Sequence, residues 1–313
     1  ATMKPFNVFP DDSSIDFMRL RMISLAVAAL IMFVAIGAMF AKGFNFALDF
    51  TGGVGIELAY EKPVDVDGVR TRLEAAGYKS AQVQTFGTGK ELLVRLRSEA
   101  GKQGDEDPTA SIAEGVRVAA SEPGNPARNL KSAEITAQVG RELAWNGLLA
   151  VVFVVLGFLI YISFRFEWKF AVAAIITTLH DMVVVAGWFA LSGHEFDLNV
   201  LAGILSVMGF SINDTIVVFD RVRENFRTLR LPPEEILNRS INQTLSRTII
   251  TSFVAFLTVL ALYLFGGGSL EGMAISQMLG IVIGTISSIF VACPLLTIGF
   301  LKVSKQDLMP KAR

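Results

Sequence analysis

Asp214 stands inside the apolar stretch from Gly203 to Asn225, directly after Asn213. A carboxyl at bilayer depth costs about 2.5–3.5 kcal/mol on insertion scales, so a residue of this kind marks an ion path or an internal pair. At about 1.5 Å of rise per residue, Asp214 lies roughly 9 Å inside Asp220, too deep to be a rim charge. Ser211 and Arg221 fall on its helical face. Gly203, Ser206, Gly209 and Asn213 form an adjacent face of small residues, along which a neighbouring helix can come close.

Two further positions could share its chemistry. Arg247 opens a later apolar run from the same side, at a depth matching that of Asp214, where a guanidinium either pairs with the carboxylate or snorkels to the interface. His180-Asp181 sits near the middle of another apolar run, preceded by Thr177 and Thr178. Desolvation and a cationic partner pull in opposite directions on such a carboxyl, which is what taking and releasing a proton near neutral pH requires. Ser276 and Gln277 are candidates to line the same interior. The competing reading is structural: Asp214 and His180 hydrogen-bond helices together and Arg247 only snorkels.

These residues need membrane helices to position them. The chain has 313 residues, 52% hydrophobic and only 18% charged, which is too apolar for a soluble domain of this length. Runs long enough to span occur at 22–40, 143–164, 170–191, 198–219, 248–265 and 273–301, the last overlong and expected to tilt or break at Pro294. Arg19 and Arg21 before the first run resemble a signal peptide, but the run is long enough to span and is read as a retained helix. Met3 is the first methionine, so residues 1–2 are expected to precede the natural initiator. Lys and Arg concentrate in 1–21, in Arg165 and Lys169, in the connection holding Arg221, Arg223, Arg227, Arg230 and Arg239, and in the tail 302–313. The short connections 192–197 and 266–272 have none, so both termini are expected in the cytoplasm.

The long connection 41–142 then lies outside as a folded domain. Strands are expected at 54–60, 80–86, 91–97 and 130–139, and helices at 66–76 and 108–120. This βαββαβ order predicts a small α+β, ferredoxin-like domain between the first and second of six transmembrane helices. The stretches 101–108 and 121–127, rich in Gly, Pro and acids, are expected to be flexible loops. Residues 143–301 make up helices two to six.

Other motifs carry less. Gly87-Thr88-Gly89-Lys90 lacks the spacing and the following helix of a phosphate-binding loop and reads as a hairpin turn. Asp65-Val66-Asp67-Gly68 lacks the remaining calcium ligands and reads as a helix cap. His180 and His194 are the only histidines and no carboxylate cluster has ligand spacing, so no metal site is expected, and no catalytic triad can be assembled. Near-zero net charge argues against nucleic acid. Cys293, the single cysteine, reads as packing beside Pro294. Asn213, Asn238 and Asn242 begin glycosylation sequons, but in the membrane or on its cytoplasmic side. Asp49-Phe50-Thr51-Gly52-Gly53 reads as a tight turn into the outer domain, with Asp49 capping it.

Taken together, three motifs resemble the SecF branch of the SecD/SecF protein-export family, within the resistance-nodulation-division superfamily. They are Asp49-Phe50-Thr51-Gly52-Gly53, the run Gly209-Phe210-Ser211-Ile212-Asn213-Asp214-Thr215-Ile216-Val217-Val218-Phe219-Asp220-Arg221 with Arg223-Glu224-Asn225, and Leu245-Ser246-Arg247-Thr248. The first also occurs in SecD; Ala47-Leu48 before it departs from the common Gly-Ile. The resemblance covers nearly the whole chain. It implies a non-enzymatic accessory subunit of the Sec translocase in the bacterial inner membrane, driven by the transmembrane proton gradient with no bound cofactor. It implies Asp214 and Arg247 as the proton pathway, Asp181 as a further intramembrane acid, and SecD, the SecYEG channel, YidC and YajC, and the exported unfolded preprotein as partners. Asn213, Ser211 and His180 are expected to support the pathway. The rivals are a proton-coupled solute or lipid exporter of the same superfamily, which usually has two six-helix halves, and a non-transporting assembly scaffold.

Overall fold

A computed structural model describes residues 14–78, 81–86, 90–97, 108–135, 137–165 and 167–304. Six helices in it are long and apolar enough to cross a membrane. The first, α1 (Arg21–Lys42), ends at Gly43, whose φ of 67° suits a residue without Cβ. A two-residue strand β1 (Asn45–Phe46) and a single helical turn α2 (Leu48–Thr51) follow. Gly52 and Gly53, with φ of 76° and 155°, then turn the chain into the outer domain.

That domain runs β2 (Gly53–Ala59), α3 (Val66–Ala75), β3 (Gln82–Phe86), β4 (Glu91–Arg97), α4 (Pro108–Ala120) and β5 (Arg128–Ile135). Its sheet has the order β3-β4-β2-β5 with every pairing antiparallel, the arrangement of a ferredoxin-like split βαβ sandwich. Alternate residues of β2 and β4, among them Val54, Ile56, Leu58, Leu92, Val94 and Leu96, are buried beneath α3 and α4. The Asp65 carboxylate accepts from the N–H groups of Asp67 and Gly68 and so caps α3. The expected hairpin turn 87–89 lies outside the described residues, as does most of the expected loop 101–108, while the flanking strands pair from Phe86↔Glu91.

Two features of the domain differ from expectation. The loop 121–127 is pinned rather than loose: buried Asn125 accepts from Lys62 N and donates to Lys62 O, and Ser121 Oγ accepts from Ala127 N. Each side-chain bond satisfies backbone that a free loop would leave to water. The last strand stops at Ile135 instead of running to 139, because α5 (Ala137–Arg165) already begins there.

The remaining membrane helices are α6 (Trp168–Ser192), α7 (Leu198–Thr228), α8 (Pro233–Phe265) and α9 (Gly268–Ser287). A two-residue strand β6 (Glu195–Phe196) between α6 and α7 pairs in parallel with β1. Helices α7 and α8 extend well past the apolar runs expected for them. At about 1.5 Å per residue both are longer than the roughly 30 Å hydrocarbon core, so their polar ends stand out of it as a helical hairpin. Asn225 ties that hairpin together by donating to Ser240 Oγ and Gln243 Oε1, both at 2.9 Å. At this same end the residues before α1 dock on α8: Asn238 Oδ1 accepts from Met18 N, and Asn242 binds both Ile15 N and Ile15 O. Lys302 also lies there, its carbonyl accepting from Lys169 Nζ. Both described ends of the chain therefore sit at the end of the bundle away from the outer domain.

The last span is distorted just before Pro294 rather than broken there, and runs on to Leu295. A π-helical turn (Ser288–Ala292) follows α9 and leads into α10 (Cys293–Leu295). Pro294 has no N–H to give the carbonyl of Phe290 and its ring crowds that oxygen, so the preceding turn widens. Cys293 is fully buried there among Phe170, Ile289 and their neighbours.

Candidate functional site

Helix α9 lies closely against α7. A Cβ on Gly280 would collide with the side chain of Val207, and one on Gly284 would come within 3.3 Å of Ser211 Cβ. This approach carries Ser287 and Ser288, at the mouth of the π-helical turn, to the two carboxylates that the sequence singles out. Asp181, on α6, is fully buried. Its Oδ2 accepts from Ser211 Oγ at 2.6 Å and from Ser287 Oγ at 2.7 Å, and its Oδ1 lies 3.0 Å from Nδ1 of His180. Asp214, on α7, is 5% exposed, and its Oδ2 accepts from Ser288 Oγ at 2.9 Å. Thr248 and, at the edge, Arg247 of α8 lie nearby, the Thr248 hydroxyl making no hydrogen bond to the carboxylate.

Buried polar groups in this region are incompletely satisfied by protein. Among the described residues, Nε2 of His180 and the hydroxyls of Thr215 and Thr248 have no hydrogen-bond partner. In a bilayer interior such groups are costly unless they face water or a moving proton. Four helices and a widened turn thus enclose two carboxyls, an imidazole and five hydroxyls, with one cation at the edge.

The structure rearranges several expected roles. Ser211 shares the face of Asp214 as its spacing requires, but its hydroxyl serves Asp181, because that face is turned to α6 as well as to α9. Asn213 does not support the carboxyl: one residue of helical rotation turns it outward, where it is exposed with Ser206 and Gly209. Arg247 is exposed, and among the described residues no ion pair within 4.0 Å joins it to Asp214. Ser276 is buried against Gly203 and donates to Met273 O, so it seals the α7–α9 contact and lines no carboxylate. Ser287 and Ser288 were missed. Two adjacent serines in an apolar span, six residues before a proline, are the signal that could have found them.

The Asp49 motif does more than turn the chain. Asp49 Oδ2 accepts from Leu198 N at 3.3 Å and Asp197 Oδ1 accepts from Val200 N at 2.7 Å, so both carboxylates sit on the N-terminus of α7, the favourable end for negative charge. The expected local cap at Asp49 is a long-range one. Phe50 packs with Phe46 and Phe196, ring centroids 5.6 and 6.1 Å away, and Thr51 Oγ1 donates to Ala47 O.

Comparison with known proteins bears on this geometry directly. The family model described as protein export membrane protein SecD/SecF, C-terminal, matches residues 117–300, and that of the SecD/SecF GG motif matches residues 37–64. The chain belongs to the SecD/SecF family. Asp181, Asp214, Arg247, Ser287 and Ser288 all fall within the first match, and Asp49–Gly53 within the second. Protein translocase subunit SecF of Pseudomonas aeruginosa is 45% identical over 95% of this chain and 94% of its own length. The same subunit of Escherichia coli O157:H7 is 40% identical over 90% and 86%. Protein translocase subunit SecDF of Thermus thermophilus is 40% identical over 91% of this chain but only 38% of its own length. A crystal structure of SecDF from the same organism, described as a translocon-associated membrane protein, superposes with a TM-score of 0.76 at 39% identity, covering 93% of this chain and 39% of that one. Membership in the SecD/SecF family and six apolar helices make this a multi-pass protein of the bacterial inner membrane.

Proposed function

We propose that this accessory subunit of the Sec translocase couples proton passage to protein export, with Asp214 as the proton-carrying carboxyl, Arg247 as its charge partner and Asp181 as a second acid on the path. The observation that carries the proposal is the setting of Asp214: a buried carboxyl inside an apolar span, bonded to Ser288, with Arg247 exposed on the neighbouring helix α8. Protonation would neutralise Asp214 and release it from Arg247; loss of the proton would restore the attraction. One charge crossing 100 mV supplies about 2.3 kcal/mol, enough to bias two helix packings of similar stability.

SecD is the partner proposed to complete the site. The fused SecDF relative supports this, since this chain matches little more than a third of it. So does the outward position of Asn213 and Arg247, which a complementary helical half would cover. Basic residues at the end of the bundle away from the outer domain support cytoplasmic termini and an extracytoplasmic domain of about residues 41–142. Contact with the SecYEG channel, YidC, YajC and the emerging preprotein follows from the same role.

The test is Asp214→Asn in cells and in inverted vesicles. Complex assembly should persist while export loses its dependence on the proton gradient and precursor accumulates. Undiminished gradient-dependent export would sink the proton-carrier role, and loss of export together with loss of assembly would favour a scaffold.

A further inference from the structure

Ser287 and Ser288 are consecutive and buried, and each hydroxyl has one hydrogen to give but two acceptors in reach. Ser287 Oγ lies 2.7 Å from Asp181 Oδ2 and 3.1 Å from the carbonyl oxygen of Gly284 in its own helix. Ser288 Oγ lies 2.9 Å from Asp214 Oδ2 and 2.9 Å from the carbonyl oxygen of Thr285. The two sites repeat one design on adjacent residues.

This design suits a carboxyl that gains and loses a proton. When the carboxylate is ionised, the serine hydroxyl donates to it. When it is protonated, its own O–H donates to the serine oxygen, and the serine hydrogen turns to the carbonyl three residues back. The serine keeps its proton throughout, no heavy atom need move, and the serine–carboxyl hydrogen bond is kept in both charge states. Ser276, packed against Gly203, donates to Met273 O alone and has no carboxyl to serve.

We infer that Ser287 and Ser288 are positioning residues of the proton path, each holding one carboxyl, Asp181 and Asp214 respectively, in a site that accepts either protonation state. This rests on the reading of Asp214 as a proton carrier and extends it to Asp181 through the matching serine. The other groups facing Asp181 are His180 on its own helix and Ser211 on α7; those facing Asp214 are Thr248 and Arg247 on α8. None of them is shared by the two acids, so the two serines act on separate targets.

The experiment is infrared spectroscopy of the full chain in lipid vesicles, following the carbonyl stretch of protonated carboxyls across pH, with Asp181→Asn and Asp214→Asn assigning the bands. Ser288→Ala should move the frequency of the Asp214 band and shift its midpoint by about one pH unit, the size of one hydrogen bond to a charged group, while the Asp181 band stays in place. Ser287→Ala should do the converse. Ser287→Thr and Ser288→Thr should restore the wild-type bands, and Ser276→Ala should move neither. The undisturbed band in each alanine variant reports that the bundle is folded. Wild-type bands in both alanine variants, or both bands displaced together by either one, would overturn the assignment. If Asp214→Asn abolishes gradient-dependent export while the serine variants leave the bands alone, this inference falls by itself; if the bands respond as stated but Asp214→Asn exports normally, the positioning role stands and the proton-carrier reading falls.

Discussion

Asn242 illustrates how a side chain acquires a role that its local sequence does not announce. As the first residue of a sequon it offers a sugar-attachment reading, yet it is buried and clamps Ile15 through both halves of its amide, donating to Ile15 O at 2.9 Å and accepting from Ile15 N at 3.1 Å. Asn238, one turn earlier, accepts from Met18 N and donates to Asp16 Oδ1. The segment entering α1 is thereby fastened to α8, and Arg21 pairs with Glu234 at the same place. Asn242→Ala removes two partly buried hydrogen bonds and should cost about 1–3 kcal/mol of that docking. Amide exchange at Ile15 should rise correspondingly, with the rate at α6 unchanged; equal protection at Ile15 would show that Asn238 alone holds the segment.

Among the elements, α9 matters most because its glycines set how near the serines come to the acids. Gly280 faces Val207 and Gly284 faces Ser211, so the α7–α9 seam has no room for a side chain at Gly280 and little at Gly284. Gly280→Leu should force the helices apart, at about 1–3 kcal/mol of overpacking. The expected outcome is a lower melting temperature in detergent together with displaced infrared bands for both Asp181 and Asp214. That pattern differs from the single-band effect of either serine substitution. The π-helical turn beyond Ser287 is the counterpart of these glycines: it absorbs Pro294 without ending the span, which keeps Ser288 in the interior.

Across the whole molecule, the outer domain meets the bundle at a small polar junction. Glu195 of β6 is half-buried beside Gln82 of β3 and Arg95 of β4, with Asp197 and Asp49 close by. Burial raises the Glu195 pKa above its ordinary 4.5, assisted by the two neighbouring carboxylates and opposed by Arg95 and Gln82. Asp197 is raised above its ordinary 3.8, chiefly by burial. A carboxyl with a raised value binds its proton more tightly when the junction is closed. Closure is therefore most favourable below the ordinary values and loses that contribution as pH rises through the raised ones. Spin labels at Glu74 on the domain and His194 on the loop should report a narrower distance distribution in acid than at neutral pH. Glu195→Gln should narrow the neutral distribution and flatten much of the pH dependence; an unchanged profile would assign the effect elsewhere.

Much of this protein follows from residue order alone. Apolar runs of bilayer length need no partner to be recognised, since each helix satisfies its own backbone, and the strand and helix periods of the outer domain are equally local. Asp214 and Asp181 stand out for the same reason, as charges in runs that cannot cheaply hold them. Tertiary structure decided what those charges touch. Helical spacing put Ser211 and Asp214 on one face, but only the packing of α6 and α9 gave Ser211 to Asp181 and Ser288 to Asp214. Asn213 and Arg247 turned outward, and Asp49 became a cap for a helix that starts nearly 150 residues later, at Leu198. Such partners come from distant turns brought together by close approach, and no local period encodes which of them will meet.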